Sequence, residues 1–236
     1  MEKEARELYT NTDKALFLQQ PFSIWEQYFS LRGLENAFMD LAANKNFAEY
    51  LADKLTDWLI VYYGKALELV GKYVQIVKIN DDLGFKNGPL MSLETYRQIF
   101  KPRHKKIIEL IKSKTNAKIF IHSNGSIYDF LNDFIEIGID IINPVEITAK
   151  NMDGDNKKKK FGDNLSFWGA SCNNKILEVG KPQEVEEEVK KNINKFAPGG
   201  GYVFASIHCI QPFVLPENII ALFDSGFKYG KYPISV

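Results

Sequence analysis

Apolar residues recur along the chain in two rhythms. Short runs, apolar on both faces and rich in β-branched residues, fall at 14–18 (KALFL), 73–79 (YVQIVKI), 117–122 (AKIFIH), 139–144 (IDIINP), 165–170 (LSFWGA) and 202–207 (YVFASI). Such runs predict buried strands. Helical spacing fills the intervals: 22–71 with breaks near Gly33 and Asn44, 93–113, 126–137, a short basic helix at 153–161, 182–196 and 216–226. Ser92 is a good N-cap for the second of these, Pro182 suits a first helical turn, and Pro144 closes its strand. Six strands, each followed by a helical segment, imply a parallel sheet with right-handed crossovers. An open doubly wound sheet and a (β/α) barrel both fit. No linker, composition break or repeat divides the chain, so residues 1–236 read as a single domain.

Composition narrows the classes. The chain has 30 Lys+Arg against 30 Asp+Glu, 45% hydrophobic and 25% charged residues. Disorder is excluded by the apolar fraction, and the balanced charge argues against nucleic acid or membrane surfaces as partners. No apolar run approaches the roughly 18–20 residues that span a bilayer, and the start, MEKEARELYTNTDKA, lacks the apolar core of a signal peptide. Cys172 and Cys209 cannot form a disulfide framework and read as intracellular thiols, which points to the cytoplasm.

In either parallel architecture ligands bind at the carboxyl ends of the strands. The residues that fall there are Asn80, Asp81 and Asp82; His122, Ser123 and Asn124; Glu146; Ser171 to Asn174; and His208, Cys209 and Gln211. Two imidazoles, carboxylates and a thiol at one mouth suit acid–base work or metal binding. Each also has a plainer reading. Asp81 or Asp82 caps a loop, and His122 and His208 are satisfied buried histidines. His104, within KPRHKK, is a solvated surface residue, and Lys157–Lys160 is a solvated helix face. Gly199–Gly201 is a turn, and Trp25, Tyr28, Phe29 and Trp58 belong mostly to the core.

Six strings in one order carry more than the periodicity does: NDDLGFKNGPLMS, FKPRHKKI, FIHSNGSIYDFL, INPVEITAKNMD, FGDNLSFWGA and APGGGYVFASIHCIQPFVLPENI. Together they resemble the uroporphyrinogen decarboxylase superfamily, and within it the branch of corrinoid-linked methyltransferases. The resemblance implies a TIM (β/α)8-type barrel, here incomplete, with six of eight strands and the first two missing. It implies that His208 matches a residue at the end of the last barrel strand, a zinc ligand in the methyltransferases. His122 would match the histidine of their H-x-C zinc motif, Asp82 a residue bordering the cleft, and Tyr28 an active-site tyrosine. Asn124 stands where that motif has cysteine, and Asn is a poor zinc ligand.

Three functions follow from the resemblance. The first is methyl transfer between a small substrate or thiol and a corrinoid (cobalamin) carried by a partner protein, with His122 and His208 as zinc ligands or proton donors and Asp82 and Tyr28 beside them. The second is decarboxylation of uroporphyrinogen, a tetrapyrrole, with no cofactor. The third is a non-catalytic partial barrel acting as a subunit or binding module. The resemblance also implies a homodimer, or a second chain that supplies the missing strands.

Overall fold

In the computed structural model residues 1–154 and 157–234 are described. The chain divides into two compact units. The first comprises 1–83, 89–123 and 129–140, the second 84–88, 124–128 and 141–236.

The first unit opens with helix α1 (Glu2–Asn11) and strand β1 (Phe17–Gln19). Helices α2 (Ile24–Arg32), α3 (Leu34–Ala43) and α4 (Lys45–Val70) follow. The breaks fall where the sequence placed them, at Gly33 and Asn44, because Gly33 takes φ 78°, a left-handed conformation open to glycine. Strand β2 (Ile76–Asn80) comes next. The predicted helix 93–113 is three pieces: a turn at Leu93–Thr95, a π turn at Tyr96–Phe100 and α5 (Lys101–Lys114). Ser92 does cap it, its hydroxyl accepting from the Thr95 N–H at 3.0 Å. Pro102, without an N–H to give, sits where the i→i−4 ladder is interrupted. Strand β3 (Lys118–His122) and α6 (Leu131–Ile137) complete the unit. β1 pairs with β2 and β2 with β3, both parallel, with Asn80 opposite His122.

The second unit holds β4 (Ile141–Val145), α7 (Lys157–Phe161), β5 (Ser166–Ala170), α8 (Asn174–Val179), α9 (Pro182–Phe196), β6 (Tyr202–Ala205) and α10 (Pro216–Tyr229). β4 pairs with β5 and β5 with β6, again parallel. β4 continues through Pro144 to Val145 instead of closing at the proline. The amino end of the predicted basic helix, residues 155–156, lies outside the described residues. The core here joins Leu177, Val185, Val189, Ile193, Val214 and Leu222. Among the described residues no helix is long and apolar enough to cross a membrane.

Several expectations need correction. His104 is buried, not solvated: its Nε2 lies 3.0 Å from the Asp81 carboxylate and its Nδ1 3.4 Å from the Tyr96 hydroxyl. The basic neighbours suggest solvent, but the helix turns His104, and Arg103 before it, inward. Lys158 is half-buried; its Nζ donates to the Gly200 carbonyl and lies over the Phe167 ring. Burial pushes its ammonium pKa down. Trp58 is exposed, unlike Trp25 and Tyr28. Gly199–Gly201, all at positive φ, form the expected turn.

Ion pairs fix two helices of the first unit. Asp133 on α6 is buried and accepts from Arg97 at 3.0 Å and Lys101 at 2.7 Å. Burial works to raise its carboxyl pKa, but these two cations outweigh it and hold the value below 3.8. Asp40 is held low chiefly by Arg32 at 2.7 Å. Groups depressed on folding stabilise the fold above their unfolded value and lose that contribution as pH falls through the folded one. The melting temperature is therefore expected to be flat from neutrality to mildly acid pH and to fall below pH 3.8. Calorimetry of Asp133→Asn checks this: the acid-side fall should be shallower than in the wild type.

Candidate functional site

In the first unit the carboxyl ends of β2 and β3 are tied together. The Asp81 N–H donates to the His122 carbonyl at 2.9 Å, and the Leu83 N–H to the Ser123 hydroxyl at 3.1 Å. Asp82 and His122, both half-buried, therefore sit at the ends of neighbouring strands. Asp81 beside them is fully buried and structural. It accepts from the Trp25 N–H at 2.8 Å and the Glu26 N–H at 3.3 Å, at the amino end of α2. That is a carboxylate answering unpaired helix donors and the positive end of the helix dipole.

Glu26 is a candidate that the sequence did not reveal. Its carboxylate accepts from the Ser23 hydroxyl at 2.6 Å and the Asn80 amide at 2.9 Å. Burial raises its pKa, and the nearby charges of Asp81 and Asp82 add to that. A half-buried carboxyl poised above its ordinary range, at a strand end, is suited to holding or giving a proton. Its only sequence signal is its place seven residues after β1.

Tyr28 lies two residues further along α2. It is fully buried, and its hydroxyl donates to Asp40 at 3.1 Å. Burial first, and Asp40 second, push the phenol pKa up, so it holds its proton firmly where it stands.

In the second unit, residues that follow four strands line one cavity of about 220 Å3. Asn124 follows β3, Glu146 follows β4, Asn174 follows β5, and His208, Cys209 and Gln211 follow β6. All six fall at positions that the sequence placed at strand ends. Glu178, from a helix that the apolar pattern did not disclose, joins them. His208 and Cys209 are exposed, and Glu146 and Asn124 are half-buried. The Glu146 carboxylate accepts from the Thr148 hydroxyl, and the Asn124 carbonyl oxygen from the Gly125 N–H at 2.9 Å. None of the lining residues named for this cavity is Lys or Arg. The other thiol, Cys172, is buried among apolar groups, which pushes its pKa up to about 12 and leaves it inert.

His122 belongs to the first unit and His208 to the second. Among the described residues no three His, Cys, Asp or Glu side chains gather as a metal would require. Asn124 stands where the zinc motif has cysteine, and Asn is a poor zinc ligand.

A family model described as uroporphyrinogen decarboxylase (URO-D) matches residues 5–229. A uroporphyrinogen decarboxylase from Ruthia magnifica subsp. Calyptogena magnifica is 28% identical over 191 residues, 80% of this chain and 51% of that protein. One from Pseudoalteromonas atlantica is 24% identical over 185 residues, 76% of this chain and 48% of its own length. The chain thus spans about half the length of the curated relatives it matches. A solved methyltransferase from Methanosarcina mazei has a similar fold, with TM-score 0.73 at 19% identity, over 98% of this chain and 63% of that one.

Proposed function

The chain belongs to the uroporphyrinogen decarboxylase (URO-D) family, and from that premise we propose that it is an enzyme moving a methyl group between a small substrate or thiol and a corrinoid held by a partner protein. The α/β fold is TIM-barrel-like.

The observation that carries this reading is the cavity at His208. Its volume of about 220 Å3 lies below the roughly 300–1,000 Å3 of sites that enclose drug-sized ligands. A small thiol or methylated amine fits that space; a macrocycle does not. The charge of the lining points the same way. Glu146 and Glu178 would repel the many carboxylates of a uroporphyrinogen, and none of the named lining residues offers the cation that each carboxylate needs.

A corrinoid on a docked carrier would supply the methyl group. The chain's own residues handle the proton. A thiol must lose its proton to become a nucleophile, and the exposed imidazole of His208 accepts it at a ring nitrogen. Glu146, which lines the same cavity and accepts from the Thr148 hydroxyl, would hold the imidazolium that results. Asn124 fixes the substrate by hydrogen bonding at the cavity wall.

Incubation with methylcobalamin and a panel of small thiols tests this, read as loss of the methylcobalamin absorbance and appearance of the thioether. The wild type is expected to turn over, and His208→Ala to be about 100-fold slower, the usual size of an acid–base contribution. Uroporphyrinogen is the contrasting substrate: a coproporphyrinogen product, with no methyl transfer, would overturn the reading in favour of the decarboxylase.

A further inference from the structure

We infer that the second unit holds a further binding site, a cavity between α7, the end of α9 and the Gly199–Gly201 turn, which takes the phosphate group of a small organic molecule. This goes beyond the proposed reaction and does not depend on it.

The order of elements places the cavity. α7 leads into β5, and the glycine turn that follows α9 leads into β6. β5 and β6 run parallel, so the residues before them gather at the amino ends of the strands. The cavity at His208 lies at the carboxyl ends. The space between α7 and α9 is about 550 Å3, within the roughly 300–1,000 Å3 of sites that hold organic ligands.

Charge is the first sign of what it binds. Lys158, Lys159 and Lys195 line the cavity against one carboxylate, Asp163. Lys158 is half-buried, and its direct partners are the Gly200 carbonyl and the Phe167 ring, neither of which carries a counter-charge. Burial lowers its pKa in spite of Asp163. Lys159, exposed beside it, forms no ion pair with any described residue. Lys160 turns away, onto Tyr128 and Phe161. An ammonium taken partly out of water without an anion is costly. A phosphate dianion matches the excess of positive charge in this lining, and lysine serves phosphate oxygens as a point charge.

The main chain is the second sign. Gly199, Gly200 and Gly201 have φ 77°, 83° and 65°, a region that glycine takes freely. Nothing stands within 4 Å of where a Cβ would be at Gly199 or Gly200, so the backbone there is bare to an incoming group. At Gly201 a Cβ would stand 3.1 Å from the Lys158 Nζ. That glycine leaves the ammonium its room beside the turn.

Isothermal titration calorimetry of the full chain reads the outcome, at about 0.15 M salt, where diffuse surface attraction is screened. The probes are inorganic phosphate, glycerol phosphate and adenosine monophosphate. The two organic phosphates are expected to bind at one site per chain, about tenfold or more tighter than inorganic phosphate. Lys159→Ala, at an exposed position, should weaken their binding about tenfold, and Lys158→Met, which keeps an apolar stem over Phe167, by about as much or more. If Lys158→Met does not fold, Lys159→Ala carries the test. Lys105→Ala, on α5 of the first unit, should bind like the wild type. The inference is overturned if none of the three probes gives saturable binding. It is equally overturned if binding survives both substitutions in α7, or falls as much in Lys105→Ala. Inorganic phosphate that binds as tightly as the organic esters overturns the organic ligand and leaves a site for free phosphate.

Discussion

Asp81→Ala is expected to cost about 3–5 kcal/mol of stability, the range for breaking a buried charged pair. The carboxylate is fully buried and answers three polar atoms. Two are the Trp25 and Glu26 N–H groups at the start of α2, and the third is the His104 imidazole at 3.0 Å. Alanine leaves all three desolvated and unpaired, and each such loss carries about 1–3 kcal/mol. For a chain of this size each kcal/mol moves the melting temperature by about 2–4 °C, so the fall should be about 6–20 °C. Asp81→Asn keeps one acceptor oxygen for the helix donors and should lose about half as much. Thermal melts of the two variants check this. A drop of less than about 1 kcal/mol in the alanine variant would mean that Asp81 is not the tie between α2 and β2 that its hydrogen bonds describe. Asp82 follows directly, so the same substitution should also loosen the strand end on which Asp82 and His122 sit.

The alternation of strands and helices was legible because each signal is local. Buried parallel strands are apolar on both faces, and the starts and stops are single residues: Gly33 with its positive φ, Ser92 with its capping hydroxyl, Pro182 at the first turn of α9. Strand ends could therefore be named in advance, and six of the residues named there line the cavity at His208. What the sequence hid depends on distant partners. His104 sits among basic residues and reads as surface, yet its partner is 23 positions away and buried. Asp81 and Asp82 are neighbours that only coordinates separate into a helix-capping carboxylate and a half-buried one. Glu26 gains its raised pKa from burial and from charges 55 and 56 positions along the chain, for which no local pattern exists. Trp58 has the helical spacing of a core residue yet stands 50% exposed, because spacing groups residues on one face without saying which way that face turns.

Gly125→Ala should damage both fold and activity more than any other glycine substitution in the second unit's loops. Gly125 takes φ +79°, and a Cβ there would stand 2.6 Å from the Gly84 carbonyl carbon and oxygen and 2.8 Å from the Phe85 oxygen. All three are backbone atoms, so no side chain can swing aside. Gly84 is equally confined, its Cβ position being 2.7 Å from the Asn124 oxygen and 2.8 Å from the Ser126 nitrogen. The glycines of NDDLG and HSNG are thus where two loops cross backbone against backbone, held by the Ser126 N–H on the Phe85 carbonyl at 2.7 Å. The left-handed backbone costs a residue with Cβ about 1–2 kcal/mol, and forcing the loops apart about 1–3 more. The loop that moves carries Asn124, whose side-chain oxygen is fixed by the Gly125 N–H at 2.9 Å. A displacement of about 1 Å at a positioning residue lowers turnover on the order of 100-fold. Gly64→Ala in α4 is the control: nothing lies within 4 Å of its Cβ position, and alanine in a helix interior should stabilise by about 0.5–1 kcal/mol. If Gly125→Ala melts and turns over like the wild type while Gly64→Ala is stabilised, the crossing of these two loops is not what sets the wall of the cavity.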